Sequence, residues 1–209
     1  MKILILGASG PLGRHLVGAA LERGHEVTAF VRDPAKLPRR HDRLRVAIGD
    51  ALDAQSLDAA MDGQEAIVSS LGVGLSLRSG GLIGAAMPAI LAAMERRSLR
   101  RLVAVSAFGV GHTREDAPLL PRIVFRTLLR DIYADKNAGD DALKRSAFDW
   151  TIVAPVRLTD GPRTGKARAG ERLRLAALPS VSRADVAQFV LDEIERPRHL
   201  RRVVVVAGS

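Results

Sequence analysis

Gly7-Ala8-Ser9-Gly10-Pro11-Leu12-Gly13 is the stretch of this sequence that decides the fold. It follows a short apolar run and precedes a segment with helical spacing, residues 14–22. The first glycines let the backbone turn and approach a pyrophosphate without a Cβ in the way, and the helix N-terminus offers unpaired N–H groups. A role in turning and packing alone is the alternative, but the position at the first strand-to-helix junction favours dinucleotide binding. The predicted pyrophosphate site comprises Gly7, Ser9, Gly10, Pro11, Leu12 and Gly13.

The residues after the second predicted strand select between the two nicotinamide dinucleotides. Val31 ends that strand and is followed by Arg32 and Asp33. The guanidinium of Arg32 can bind a 2′-phosphate through several donors, whereas NAD sites place an acidic residue about 20 residues after the glycines. Asp33 favours NAD on that ground, but it also fits the N-cap of a short helix that begins at Pro34. We therefore predict that the cofactor is NADP, bound in its reduced form NADPH.

Short β-branched runs alternate with longer Ala/Leu-rich segments along the chain. Ser182 and Asp185 form a capping box at the start of the last helix. The pattern predicts a Rossmann-type α/β fold, a doubly wound, mostly parallel sheet of about seven strands with helices on both faces, in a single domain over residues 1–209. The predicted strands cover residues 2–6, 26–31, 44–48, 65–70, 100–106, 148–154 and 203–207, and the predicted helices cover residues 11–23, 53–61, 80–97, 120–145 and 183–195.

One long segment lacks clear periodicity. Residues 156–181 are rich in Gly, Pro, Arg and Thr. A loop of that length inside a compact domain is usually functional. We predict that it is a substrate-side loop over the carboxyl edge of the sheet.

The composition excludes several classes of function. The 209 residues include no cysteine, and the five histidines show no ligand spacing, so we expect no metal. No apolar run reaches the roughly 18 residues of a membrane span, and no cleavage site follows the first one. We therefore expect a cytoplasmic protein without a membrane partner. We also expect a monomer or a homodimer. The net charge of +9 comes from scattered basic residues, so we do not expect nucleic acid as a partner. The expected partner is a small-molecule acceptor.

Further motifs follow the later predicted strands, and their order and spacing extend over nearly the whole chain. With them the chain resembles the atypical short-chain dehydrogenase/reductases, in particular the group of NmrA-like proteins and the flavin reductase called biliverdin reductase B. The residues that carry the resemblance are Gly7-x-x-Gly10-x-x-Gly13, Val31-Arg32-Asp33, Gly49-Asp50, Ser70-Leu71-Gly72, Val105-Ser106-Ala107-Phe108, Lys136 and Leu158-Thr159-Asp160-Gly161-Pro162.

The resemblance implies a role for each motif around the cofactor. Around the adenine half, Asp50 and Ala51 would contact the base, and Ser70, Leu71 and Gly72 would pass beneath a ribose. Around the nicotinamide half, Lys136 would reach the ribose, Pro155 and Val156 would border the carboxamide, and Phe108 and Arg157 would contact substrate. Ser106 would lie where the nicotinamide and the substrate meet, so Ser106 and Lys136 are the expected catalytic residues.

Each of these residues also has a structural alternative. Asp50 could cap a turn, and Ser70 to Gly72 could form an ordinary turn after a strand. Ser106 could simply finish its strand, Lys136 could belong to a solvated helix face, and Phe108 could anchor a loop in the core.

Two departures from the family pattern bear on catalysis. Tyr133 and Lys136 are one residue closer than the Tyr-x-x-x-Lys pair, in which the lysine lowers the pKa of the tyrosine for proton exchange. The histidine that biliverdin reductase B has after the sixth strand is replaced here by Val156-Arg157. Both departures argue against carbonyl reduction and against a biliverdin substrate.

Three functions fit these residues. The first is an NADPH-dependent reductase of a flavin, quinone or similar planar acceptor, because such an acceptor needs little more than stacking on the nicotinamide. The second is a binding module that senses the redox state of the dinucleotide without turnover, as NmrA-like proteins do. The third is a reductase or isomerase of a specific small metabolite.

Overall fold

The computed structural model describes residues 1–37, 40–72, 80–115, 130–176 and 178–209. The strands are β1 (Lys2–Leu6), β2 (Glu26–Val31), β3 (Leu44–Ile48), β4 (Ala66–Ser69), β5 (Arg101–Val105), β6 (Asp149–Pro155), β7 (Arg157–Thr159), β8 (Arg168–Gly170), β9 (Ser180–Ser182) and β10 (Arg202–Ala207). The helices are α1 (Pro11–Glu22), α2 (Ala54–Met61), α3 (Leu82–Arg96), α4 (Arg130–Lys144) and α5 (Arg183–Glu195). The first part of the helix predicted over 120–145 lies outside the described residues.

The main sheet confirms the predicted fold. Its strand order is β3-β2-β1-β4-β5-β6-β10-β8, and every neighbouring pair is parallel except β10 with β8. The order reverses between β1 and β4. In such sheets the ligand crevice lies outside the carboxyl ends of the strands at this switch point. The ends of β1, β4, β5 and β6 therefore frame the expected site.

The count of about seven strands was one too low for the main sheet, and the reason lies in the segment 156–181. This segment contains β7 and β8, and its last residues begin β9. The extra strand, β8, pairs with the edge strand β10, and β7 pairs in parallel with β9 in a separate small sheet. Non-local pairing thus organises a segment that has no periodicity of its own.

Asp185 fastens the same segment to α5. Its carboxylate accepts hydrogen bonds from the backbone of Thr164 (3.0 Å) and Gly165 (2.9 Å) and from the hydroxyls of Thr164 (2.8 Å) and Ser182 (2.7 Å). Ser182 also accepts from the backbone N–H of Asp185, which confirms the predicted cap. Burial raises the pKa of Asp185, but these hydrogen bonds outweigh it and hold the pKa below its usual value.

The core has two layers, one on each face of the sheet. Ile3 and Ile5 of β1 point into the layer with α1 and α5, whereas Leu4 and Leu6 point into the layer with α2, α3 and α4. Both layers exclude solvent from residues 3–6 of β1, which explains why this part of the strand is continuously apolar. The two layers hold the strand ends rigidly around the crevice.

Candidate functional site

The glycine turn after β1 leaves no room for side chains. Gly7 has a φ of +76°, and a Cβ there would lie 2.8 Å from the carbonyl oxygen of Ser70. A Cβ on Gly13 would lie 2.2 Å from the carbonyl oxygen of Gly7. Both glycines are thus needed for the backbone path alone, which brings α1 close to β1 and to the end of β4.

The N-terminus of α1 is open toward the crevice. Its N-cap is Gly10, no side chain caps it, and its first turn contains no acidic residue. Pro11 is exposed at the first helical position, whereas Leu12 is buried in the core. Uncapped N–H groups and the positive end of the helix dipole attract an anion. This cradle, which a Cβ would fill, therefore fits a pyrophosphate, and the half-buried Ser9 borders it.

Arg32 and Asp33 differ in availability. Asp33 accepts a hydrogen bond from the backbone N–H of Ala35 (3.0 Å), and so caps the short 3-10 helix Pro34–Lys36, as its structural alternative predicted. Arg32 is exposed at the end of β2, and no described residue pairs with its guanidinium. Of the two, only Arg32 is free to bind a phosphate.

The expected adenine side lies at the ends of β3 and β4. Asp50 uses one carboxylate oxygen in a turn, accepting from the backbone N–H of Leu52 (2.9 Å), while Ala51 is buried. The hydroxyl of Ser70 donates to the carbonyl of Leu6 (2.9 Å) and so joins the ends of β4 and β1. Leu71 is half-buried, and Gly72 is exposed with no atom within 4 Å of a Cβ position. These residues border the crevice, although Asp50 and Ser70 also have structural contacts.

Ser106, Lys136 and Asp140 come together at the centre of the carboxyl edge. Ser106 follows β5, and its hydroxyl donates to the Asp140 carboxylate on α4 at 2.6 Å. Lys136 lies one helical turn before Asp140, on the same face of α4. Desolvation lowers the pKa of Lys136, and no described carboxylate is within ion-pair distance of its ammonium group.

Burial shifts the pKa of Asp140 upward, whereas it shifts the pKa of Lys136 downward. It raises the pKa of this carboxyl to about 6, even though the hydrogen bond from Ser106 and the charge of Lys136 both lower it. The acid therefore changes its protonation state close to neutral pH. Perturbed pKa values cluster at functional sites, so these residues form a candidate site.

The hydroxyl of Tyr133 is not available for proton exchange. Its hydroxyl donates to the backbone carbonyl of Phe108 (3.1 Å), and burial raises its pKa to about 12. A neighbouring lysine would have to lower this pKa for catalysis. The spacing of Tyr133 and Lys136 already departed from the catalytic pattern, and in the structure the Tyr133 hydroxyl is engaged by a backbone carbonyl.

The two residues expected to contact substrate, Phe108 and Arg157, differ in their accessibility to solvent. Phe108 is buried and packs in the core layer of α1 and α5, so its ring does not offer a stacking surface, and the loop-anchor alternative explains it. Pro155 and Val156 are buried at the end of β6, where Val156 donates from its backbone to Val206. Arg157 is exposed beside them. Of the two residues expected to contact substrate, only Arg157 is accessible.

Sequence reasoning missed Asp140 and Asp135. Asp135 is buried and accepts from the backbone N–H groups of Ile83 (3.0 Å) and Gly84 (2.7 Å), so α4 caps the start of α3. Asp140 has one signal in the sequence, its four-residue spacing from Lys136. That spacing is common on solvated helices, and only the contact with Ser106 reveals the difference.

The fold and the crevice define a Rossmann-type dinucleotide-binding protein. A family model described as NAD(P)H-binding matches residues 7–197, and the chain belongs to that family. It is 28% identical to the protein YwnB of Bacillus subtilis over 95% of this chain and 94% of YwnB.

Solved structures share the fold over the full length. A short-chain dehydrogenase/reductase from Veillonella parvula, in complex with NADP, superposes with a TM-score of 0.84 at 21% identity, covering 100% of this chain and 94% of that one. ChuY, an anaerobillin reductase from Escherichia coli O157:H7, superposes with a TM-score of 0.83 at 23% identity, covering 100% and 97%. Within the described residues, no helix is both long and apolar enough to cross a membrane.

Proposed function

We propose that this protein is an NADPH-dependent oxidoreductase that transfers a hydride to a small planar acceptor of the flavin or quinone class. The observation that carries the proposal is that Tyr133 is not available as an acid or base. Its hydroxyl donates to the backbone carbonyl of Phe108, and burial raises its pKa to about 12. A site without an acid–base tyrosine suits flavins and quinones, whose reduction depends mainly on stacking against the nicotinamide and does not require a proton donor of the Tyr-x-x-x-Lys type. The reductase ChuY, which shares the fold, is consistent with this proposal.

Arg32 supports NADPH over NADH. It is exposed and unpaired by the described residues, whereas Asp33 is engaged as an N-cap. A bound NADPH would supply the hydride. The chain's own part is to hold the pyrophosphate at the glycine turn and the 2′-phosphate at Arg32, with Lys136 placed to bind the nicotinamide ribose.

The acceptor would lie against the ends of β5 and β6. Ser106 lies there, buried and with its hydroxyl donating to Asp140, and the exposed Arg157 adds a positive charge. With Phe108 buried, the acceptor would stack on the nicotinamide rather than on a protein ring. The positive charge favours an acceptor that carries an anionic group, such as FMN over riboflavin.

Steady-state oxidation of NADPH with riboflavin, FMN and a quinone tests the reaction. We expect turnover with at least one of them, and a higher kcat/KM for FMN than for riboflavin. Tight binding of both NADPH and NADP without turnover on a broad acceptor panel would refute a reductase. That result would favour a sensor of the dinucleotide's redox state.

Replacing Arg32 tests the cofactor. A charge-assisted contact contributes about 1.5 to 3 kcal/mol, so Arg32→Ala should weaken NADPH binding about tenfold to a hundredfold and leave NADH binding unchanged. Lys36→Ala removes the same charge from an exposed position nearby and serves as the control. Equal losses for NADPH and NADH would remove Arg32 from the phosphate site.

A further inference from the structure

Asp140 is a buried acid placed directly behind Ser106. It is 6% exposed, and its Oδ2 lies 2.6 Å from the Ser106 Oγ. The backbone N–H of Ser106 donates to the carbonyl of Val153 on β6, which fixes the serine at the carboxyl edge. The contact therefore joins α4 to the place where the acceptor would lie.

We propose that Asp140 is a positioning residue that controls the proton of the Ser106 hydroxyl while the acceptor is reduced. The proposal rests on the function proposed above. It assigns a role to a residue that touches neither the acceptor nor the cofactor.

The hydrogen bond between the Ser106 and Asp140 side chains can form in either direction, depending on which of the two groups donates. When Asp140 is ionised it is only an acceptor, so it takes the single proton of the Ser106 hydroxyl. When Asp140 is protonated its carboxyl can donate to the Ser106 Oγ, and the serine proton is then free to point at the acceptor. The protonation state of Asp140 thus decides whether Ser106 can act as a donor.

Reduction of a flavin or quinone consumes one hydride and one proton. The acceptor receives the hydride from the nicotinamide, which is oxidised, and the proton from the Ser106 hydroxyl. The O–H bond of Ser106 breaks as the Asp140 carboxyl passes its own proton to the Oγ. Asp140 is left as a carboxylate and is protonated again from solvent. In sum, the acceptor, NADPH and one proton give the reduced acceptor and NADP⁺.

The surroundings of Asp140 suit this exchange. The charged groups that act on it are Lys136, Lys144 and Asp141, all on α4, and Ser106 is its partner at the end of β5. Burial opposes the charged carboxylate, whereas the two lysines favour it. The balance brings the pKa of Asp140 to about 6, where both protonation states are populated near neutrality.

The pH dependence of acceptor reduction tests the proposal. For wild type we expect kcat to fall roughly tenfold per pH unit above about pH 6, as Asp140 ionises. Asp140→Asn cannot ionise or pass on a proton, so it should give a lower kcat that does not vary between pH 5 and pH 8. Ser106→Ala should also give a flat profile, because Asp140 acts only through that hydroxyl.

Two further measurements separate a proton role from a structural one. Infrared difference spectra of the cofactor-free protein should show a protonated carboxyl that titrates near pH 6 in wild type and is missing in Asp140→Asn. Asp141→Asn is the matched control, because it removes a neighbouring acid on the same helix and leaves the contact with Ser106 intact. It should keep the falling profile, with its midpoint moved slightly to lower pH.

The possible failures are distinct. No NADPH oxidation with any acceptor contradicts the proposed function. Turnover with a pH profile that Asp140→Asn leaves unchanged contradicts only the role of Asp140. The absence of a carboxyl band that titrates near pH 6 contradicts that role with or without turnover.

Discussion

The two ends of β5 carry two groups of charges that differ in how completely they are paired. At the amino end, Arg101 donates to the carbonyl of Asp149 (2.9 Å), to the hydroxyl of Thr151 (2.9 Å) and to the carbonyl of Glu193 (2.7 Å). Of its nitrogens, only Nε has no partner in the part of the chain that the structure describes. At the carboxyl end, the Lys136 ammonium has no carboxylate within ion-pair distance among those residues.

Glu193 completes the amino-end group. It is 2% exposed, its carboxylate lies 3.7 Å from Arg101, and it accepts from the backbone of His199 (3.1 Å) with the ring Nδ1 at 2.8 Å. A buried polar network whose hydrogen bonds are nearly all made rigidifies the structure around it. The amino-end group thus contributes to stability, whereas the carboxyl-end group is the one placed at the proposed site.

Breaking the amino-end group should have the largest effect. Arg101→Met keeps most of the volume but leaves Glu193 buried without a cation, so the free energy of unfolding should fall by about 3 to 5 kcal/mol. Urea denaturation measures the change. Arg100→Met is the matched control, because Arg100 is exposed and lies 3.9 Å from Asp149, a surface pair that contributes about 0 to 1 kcal/mol. Similar losses for both variants would contradict a dominant role for the buried network.

Asp140→Asn should stabilise the protein in a manner that depends on pH. The pKa of Asp140 is raised from 3.8 to about 6 in the folded state, so stability is lost as the pH rises from about 4 to about 6, and the full cost of the buried carboxylate is present above that range. Because each pKa unit corresponds to about 1.4 kcal/mol, the variant should gain about 3 kcal/mol at pH 8 and little at pH 4. Urea midpoints at several pH values measure it, and a gain independent of pH would contradict the assignment.

The two ends should also be energetically independent. Arg101 and Ser106 are five residues apart on an extended strand, roughly 16 Å. Substitutions at that distance without shared partners usually add within about 0.5 kcal/mol. We expect the Arg101→Met and Asp140→Asn effects to be additive in the double variant, and a larger coupling would show that β5 transmits strain between its ends.

The same contrast explains what could be predicted from the sequence. The glycine turn, β1 and the cap at Ser182 depend on local residue types, and the structure confirms all three. Arg168-Ala169-Gly170 has no β-branched residue, so β8 depends entirely on its pairing with β10. Asp140 resembles a surface acid on a helix until its contact with Ser106 is known. Burial and tertiary contact determine such residues, and neither has a local pattern.

Lys136→Met should change stability least and function in two ways. Burial lowers the pKa of Lys136 and no described carboxylate is within ion-pair distance of it, so removing its desolvated charge should offset the lost attraction to Asp140 and Asp135 and change the free energy of unfolding little. If the ammonium holds the nicotinamide ribose, NADPH affinity should fall about tenfold. The charge of Lys136 also lowers the pKa of Asp140, so the midpoint of the pH profile should move to higher pH.

Lys144→Met distinguishes these two effects of Lys136. Lys144 lies on the same helix, 3.5 Å from Asp141, and its charge lowers the pKa of Asp140 less than that of Lys136 does. We expect a smaller shift of the midpoint in the same direction and no change in NADPH affinity. If both variants weakened NADPH equally, the positive charge of α4 as a whole would bind the cofactor. A specific loss at Lys136 would instead support one lysine that serves the cofactor and the acid together, because no carboxylate among the described residues forms an ion pair with it.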